Sequence, residues 1–147
     1  MSKQIIAYGG ATKRSTTGLA ASFVKIPEAT GLGIPTVETD FVEVTNLDSA
    51  DGFKEYIKGL KDAGVLTIPC GYTSVGYAQQ LADEALDDPI FYETTLKMAA
   101  GQTSGDVFTF KGFPTTAVET NDLGAPIGMT VSIRVTGGMA FVAGATV

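Results

Sequence analysis

The stretch DFVEVTNLDSADGFKEYIKGLKDAG, residues 40–64, decides how the rest of the chain is read. Phe41, Val42 and Val44 around Glu43 read as a strand. Thr45, Asn46, Leu47, Asp48 and Ser49 make a polar turn. Phe53, Tyr56, Ile57 and Leu60 then recur with the spacing of one helical face, which Gly59 interrupts. Asp62-Ala63-Gly64 ends the segment with turn chemistry, and Val65-Leu66-Thr67-Ile68 opens another strand at once. The sequence therefore predicts two strands joined by roughly twenty residues with apolar side chains, where a hairpin loop takes about two to five. A long, partly apolar connection in a compact chain is functional or is tucked under something.

Around this stretch the chain alternates short apolar runs with glycine and proline. Strands are expected at residues 3–8, 19–26, 65–72, 90–98, 106–112, 129–136 and 139–142, besides the one at 41–44. Pro69 places the 65–72 strand at an edge or a bulge, because proline donates nothing to a ladder. Residues 90–98 alternate cleanly, with Ile90, Tyr92, Thr94, Leu96 and Met98 on one face. Met129, Val131, Ile133 and Val135 do the same later in the chain. Residues 74–87 read as the one full helix, with Ser74 as N-cap and Asp88-Pro89 as its stop. Its apolar stripe is Val75, Ala78, Leu81, Ala82, Ala85 and Leu86, with Gln79, Gln80, Asp83, Glu84 and Asp87 facing away. Asn121-Asp122-Leu123-Gly124 marks a turn. The expected fold is mainly β: an antiparallel sandwich or barrel of about eight strands, one flanking α-helix and one long inter-strand loop. Residues 1–147 read as a single domain.

Composition narrows the function. The net charge of −6 opposes nucleic-acid binding by phosphate neutralisation. Only 18% of residues are charged, so apolar surface and partners to cover it are expected. The charge is unevenly placed: the first twenty residues hold no acid, and between Glu28 and Asp51 every charge is acidic. One cysteine, Cys70, excludes an internal disulfide, and its neighbours offer no cation to activate a thiolate. No run approaches the roughly eighteen apolar residues of a membrane span. The first residues lack the apolar core of a secretory signal.

Chemistry finds little support. The chain has no histidine, so imidazole bases, triads and ordinary zinc sites are missing. Gly9-Gly10-Ala11-Thr12-Lys13-Arg14-Ser15 lacks the glycine before lysine that a phosphate loop needs, and no helix pattern follows it. Asn46, Asp48 and Asp51 fail the spacing of a calcium loop and read as Asx-turn residues. No enzyme, cofactor or metal is expected.

One resemblance is specific. Val44-Thr45-Asn46-Leu47-Asp48-Ser49, Tyr56-Ile57-Lys58-Gly59-Leu60 and Asp62-Ala63-Gly64 resemble the long loop of the tail tube (major tail) proteins of long, non-contractile-tailed bacteriophages and of gene transfer particles. The resemblance implies a structural subunit that forms hexameric rings stacked into a hollow tube. DNA would pass through the lumen without specific binding. The implied partners are further copies, with tail-tip, tape-measure and terminator proteins. The implied location is the tail of a particle assembled in the bacterial cytoplasm. It also implies that the loop lies between rings, making Asp48, Ser49, Phe53, Tyr56, Ile57, Leu60 and Asp62 interface candidates. Lys13 and Arg14 join them as a basic N-terminal arm. A tube protein of a contractile tail or secretion system is one alternative, although the loop favours the non-contractile family. A small-ligand or carbohydrate-binding β-sandwich is the other, although it lacks tryptophan and its tyrosines are dispersed.

Overall fold

Ile90, Tyr92 and Thr94 are buried while their neighbours are not, so the alternation at residues 90–95 is the pleat of a half-buried strand. The structure is a computed structural model that describes residues 4–119 and 122–146. In chain order its strands are β1 (Ala11–Ser15), β2 (Val24–Lys25), β3 (Glu38–Glu43), β4 (Tyr56–Asp62), β5 (Val65–Gly71), β6 (Ile90–Thr95), β7 (Val107–Glu119) and β8 (Gly128–Val142). One α-helix, α1 (Ser74–Glu84), joins β5 to β6, and 3-10 turns occupy Ala20–Ser22 and Ala50–Gly52. Six strands form an antiparallel sheet in the order β2-β1-β6-β7-β8-β5, and β3 pairs only with β4.

The core lies on one face of the six-stranded sheet. Leu66 and Ile68 of β5, Ile90 and Tyr92 of β6, Phe110 of β7, and Met129, Val131 and Ile133 of β8 point into it, with Ile26 from the loop after β2. Tyr92 stacks on Phe110 across the β6–β7 pair at 5.5 Å between ring centres. On the opposite face Thr67, Ser132 and Thr115 stand in one row across β5, β8 and β7. Arg134, on the same face, is held by Asp62 at 3.2 Å.

The sheet is staggered. β6 pairs with β7 only as far as Gly112, so residues 113–119 have β8 on one side and no strand on the other. β5 pairs with β8 only as far as Arg134, so residues 136–142 likewise have β7 alone. The two half-open stretches lie on opposite sides of the sheet. Pro114 is accommodated in the first of them, where its missing N–H costs least.

Several expected elements shift. Lys3 lies outside the described residues, and residues 4–8 are not a strand. The strand is β1, beyond the Gly9-Gly10 turn. Its polar side chains find buried partners: the Thr12 and Thr94 hydroxyls are 3.0 Å apart, and Thr12 Oγ1 accepts from Gly33 N. Residues 19–26 supply only the two-residue β2. The expected strand at 106–112 runs through Pro114 to Glu119, and 129–136 and 139–142 are one strand. A register shift between Thr109 and Lys111, opposite Gly137 at φ 78°, lets β8 pass the predicted break. Pro69 is in an edge strand, as expected, and its carbonyl accepts from Thr30 N. The helix is capped by Thr73, whose Oγ1 accepts from Gly76 N, rather than by Ser74, and it ends at Glu84. Ala125 N bonds Asp122 O in the turn at 122–125, while Asn121 lies outside the described residues.

Candidate assembly interface

The deciding stretch is not helical. Residues 56–62 form β4, and the expected helical face is a strand paired with β3. Phe41 stands opposite Lys58, and Val42 opposite Ile57. The tip between the strands is internally bonded. Asn46 Oδ1 accepts from Asp48 N at 2.8 Å, which is the expected Asx turn. Ser49 Oγ bonds Glu55 Oε2 at 2.9 Å, and Thr45 Oγ1 accepts from Glu55 N at 2.8 Å. Asp51 takes a left-handed conformation at φ 53°. At the root, Asp62 Oδ1 accepts from Gly64 N, and that bond together with Arg134 holds the Asp62 carboxyl below its ordinary range.

Among the described residues, nothing covers β4 of this hairpin. All seven residues of β4 are exposed. Because strand side chains alternate, Tyr56 and Leu60 share one face with Phe41, while Ile57 shares the other with Val42. Leu60 is 84% exposed and Phe53 72%. A two-stranded hairpin is marginal in water by itself, so exposed apolar groups on both of its faces make it the candidate contact surface.

The helix carries the second uncovered surface, which the sequence did not reveal. Its buried residues are Gly76, Gln80 and Asp83, while the apolar stripe faces solvent, with Val75 79% exposed. The expected orientation holds for exposed Glu84 and Asp87 but is reversed for the apolar stripe and for Gln80 and Asp83. The reason is Arg14, which points inward from β1. Its Nη2 donates to Asp83 Oδ1 at 2.5 Å, and its Nε lies 2.5 Å from Oδ2. Burial pushes the Asp83 carboxyl up, against the opposing pull of Arg14. Tyr92 lies close by, its hydroxyl pushed up by the same burial.

The candidate residues thus divide. Asp48, Ser49, Phe53, Tyr56, Ile57, Leu60 and Asp62 lie together on the hairpin. Lys13 is on the opposite face of β1 from Arg14, and Arg14 is buried within its own chain. Among the described residues no group of His, Cys, Asp or Glu side chains is placed to hold a metal. Cys70 is buried, with its thiol pushed up by burial.

No protein-family profile matches the sequence, and neither does any curated protein. Solved structures do match. The chain superposes on a component of the anti-feeding prophage baseplate with a TM-score of 0.71 at 12% identity, covering 97% of this chain and 98% of the other. A chain of the sheath/tube terminator of the extracellular contractile injection system PVC gives 0.72 at 12% identity, over 97% and 99%. A chain from the tail of an empty GTA particle gives 0.62 at 15% identity, over 90% and 95%. The fold is that of phage-like tail and injection-system proteins. Among the described residues, the hairpin and the outward helix stripe both present uncovered apolar surface.

Proposed function

We propose that this chain is the structural subunit of a tail tube, with six copies closing a ring and rings stacking into a hollow tube that conducts DNA. The observation that carries the reading is the uncovered β3–β4 hairpin, together with a tail-protein fold over nearly the whole chain. The staggered edges support it. Residues 113–119 of one copy and 136–142 of the next are two different unpaired edges, and pairing them continues the sheet from copy to copy. A sheet closed in this way presents one face to the lumen. The row of Thr67, Ser132 and Thr115 fits that face: it is neutral and hydroxylic, and the nearby Arg134 is already paired with Asp62. Lys13, Lys25 and Lys111 stand on the same face, with Glu93 opposite Lys13, so the neutral row is flanked by cations. Phe53, Tyr56, Ile57 and Leu60, with Asp48, Ser49 and Asp62, then lie between rings, and Lys13 lies on the sheet surface.

A tube enclosed by a contractile sheath is a second reading. The anti-feeding prophage baseplate and PVC terminator matches favour it, at 0.71 and 0.72 against 0.62 for the GTA tail, while the anti-feeding prophage cap gives 0.60. Ring and tube are common to both.

The test is negative-stain electron microscopy of concentrated protein beside its sedimentation profile, with and without tail-tip complex. The expected result is tubes with a central channel for the wild type, and a folded protein without tubes for Tyr56→Ala/Leu60→Ala. Full-length tubes from the double variant would remove the hairpin from the inter-ring contact. A wild type that stays monomeric under every condition would end the tube reading.

A further inference from the structure

We infer that Lys13, Lys25 and Lys111, on the face of the six-stranded sheet opposite the core, form a contact surface for the phosphate backbone of double-stranded DNA. The inference rests on the tube-subunit reading, which turns this face to the lumen, and names what the face touches.

The register places the charges. Lys13 stands directly across from Lys25 on β2 and from Glu93 on β6. Glu93 in turn faces Thr109, and Lys111 follows Thr109 on the same face of β7. Two strand spacings and one pleat repeat put the Cα atoms of Lys13 and Lys111 about 12 Å apart. Lys25 and Lys111 are exposed, and Lys13 is half-buried. Like charges directly opposite on a sheet repel, so the Lys13–Lys25 pair carries a cost that an anion lying over it removes. The ion pairs among the described residues are Arg14–Asp83 and Arg134–Asp62, so no lysine of the three is in one. Glu93 lies among them and balances one charge, which leaves the rest in surplus.

Most acids of the chain lie elsewhere. Of sixteen carboxylates, seven are in residues 38–62 and four in residues 83–88. Asp62, at the hairpin root, is held by Arg134. Glu119 is on the lysine face, but at the far end of β7, about 27 Å along the strand from Lys111. It accepts from Thr130 Oγ1 at 2.7 Å. Between Lys111 and Glu119 stand Thr136, Thr115, Ser132 and Thr67, whose hydroxyls suit phosphate oxygens.

An acidic protein fits this surface less well. Protein partners need an apolar anchor, and the rings beside the lysines, Phe23 and Phe91, are half-buried. Gly18 packs on Phe91 so closely that a methyl group added there would lie 3.1 Å from the ring. Among the described residues, the rows that hold the lysines contain no Asn, Gln or Arg to read a base edge. Contact through phosphates alone is independent of sequence and lets DNA slide.

The test measures binding of a fluorescent duplex of mixed sequence by anisotropy, with the full chain at a concentration where it does not sediment. Three phosphate contacts predict a slope of about −2.7 for log affinity against log salt, or a loss of about fortyfold between roughly 50 and 200 mM. Lys13→Gln/Lys25→Gln/Lys111→Gln should bind at least about tenfold more weakly at the lower salt and flatten that slope. Lys54→Gln/Lys58→Gln/Lys61→Gln changes the net charge equally and should bind as the wild type does. Circular dichroism checks that both variants are folded. An undetectable wild-type affinity, a first variant that binds normally, or equal losses in both variants would overturn the contact surface. Polyglutamate that competes as well as unlabelled duplex of equal charge would assign the lysines to an acidic protein and overturn it too. Tubes are scored separately by electron microscopy. Tubes without duplex binding leave the tube reading standing and remove this one, whereas duplex binding by a protein that never forms tubes keeps the lysine surface and removes the tube.

Discussion

Replacing Asp83 alone should be among the most damaging single changes in this protein. Arg14 and Asp83 are 9% and 3% exposed at their side chains, so water cannot take over from a lost partner. Asp83→Leu strands a guanidinium in the interior, and Arg14→Met strands a carboxylate. Breaking a buried pair from one side costs about 3–5 kcal/mol. At this length a kilocalorie moves the melting temperature by roughly 3 °C, so each single variant should melt about 9–15 °C lower. The double variant Arg14→Met/Asp83→Leu leaves no charge behind, and it should return to within about 1 kcal/mol of the wild type or exceed it. The assay is a double-mutant cycle by urea denaturation, with melting followed by circular dichroism. Single variants costing less than about 1 kcal/mol, or a double variant whose loss is the sum of the two, would refute the buried-pair account. The pH dependence carries a second check. The native Asp83 carboxyl is raised above its ordinary 3.8. The native state therefore holds that proton more tightly than the unfolded chain, and stability from this group is present below pH 3.8 and lost as pH rises through the native value. On acidification across that interval the wild type should gain on the double variant, which has no such group.

Three further outcomes follow from named contacts. Both polar atoms of the buried Gln80 side chain lack a hydrogen-bond partner among the described residues, so Gln80→Met should stabilise the fold by about 1–3 kcal/mol in urea melts, and a loss instead would disprove that account. A methyl group on Gly112 would sit 2.5 Å from Arg134 O and 2.7 Å from Ile133 Cγ2. Gly112→Ala should therefore cost about 1–3 kcal/mol by forcing β7 off β8, whereas an unshifted melting curve would show that the strands yield freely. Cys70 is buried and its thiol is raised, so a thiol reagent at pH 8 should label native protein only at the rate of global opening and unfolded protein at once; prompt native labelling would contradict its burial.

Some of this architecture was legible in the sequence because burial on one side of a sheet imposes a period of two. Ile90, Tyr92 and Thr94, and Met129 to Val135, show it plainly. Where both faces of an element are uncovered, or its partners are polar, the same reasoning fails. Tyr56, Ile57 and Leu60 are spaced like a helical face because the hairpin has apolar residues on both sides, which blurs the alternation. β1 is hidden in the sequence because Thr12 and Arg14 look like surface residues, and the partners that bury them, Thr94 and Asp83, are 82 and 69 residues away. Removing the chain through Arg14 would therefore take most of a sheet strand, rather than trim an arm. For α1 the stripe was visible but not which way it faced. Periodicity gives a stripe without giving its inside, and here an ion pair decides it. Of the candidate surfaces, the hairpin residues stand together in the sequence, whereas the exposure of the helix face needs the structure.

For the proposed ring, the staggered sheet has a kinetic consequence. An open arc of subunits joined through residues 113–119 and 136–142 always ends in one free edge of each kind, however many copies it holds. Growth by one copy uses one edge and exposes its equal, so an open arc of any length stays open to further addition at both ends. Only closure removes both edges in a single step. That last contact forms between ends already tethered to each other, at an effective concentration in the millimolar range rather than that of the solution. Partial rings should be short-lived, and the population should divide into single subunits and complete rings.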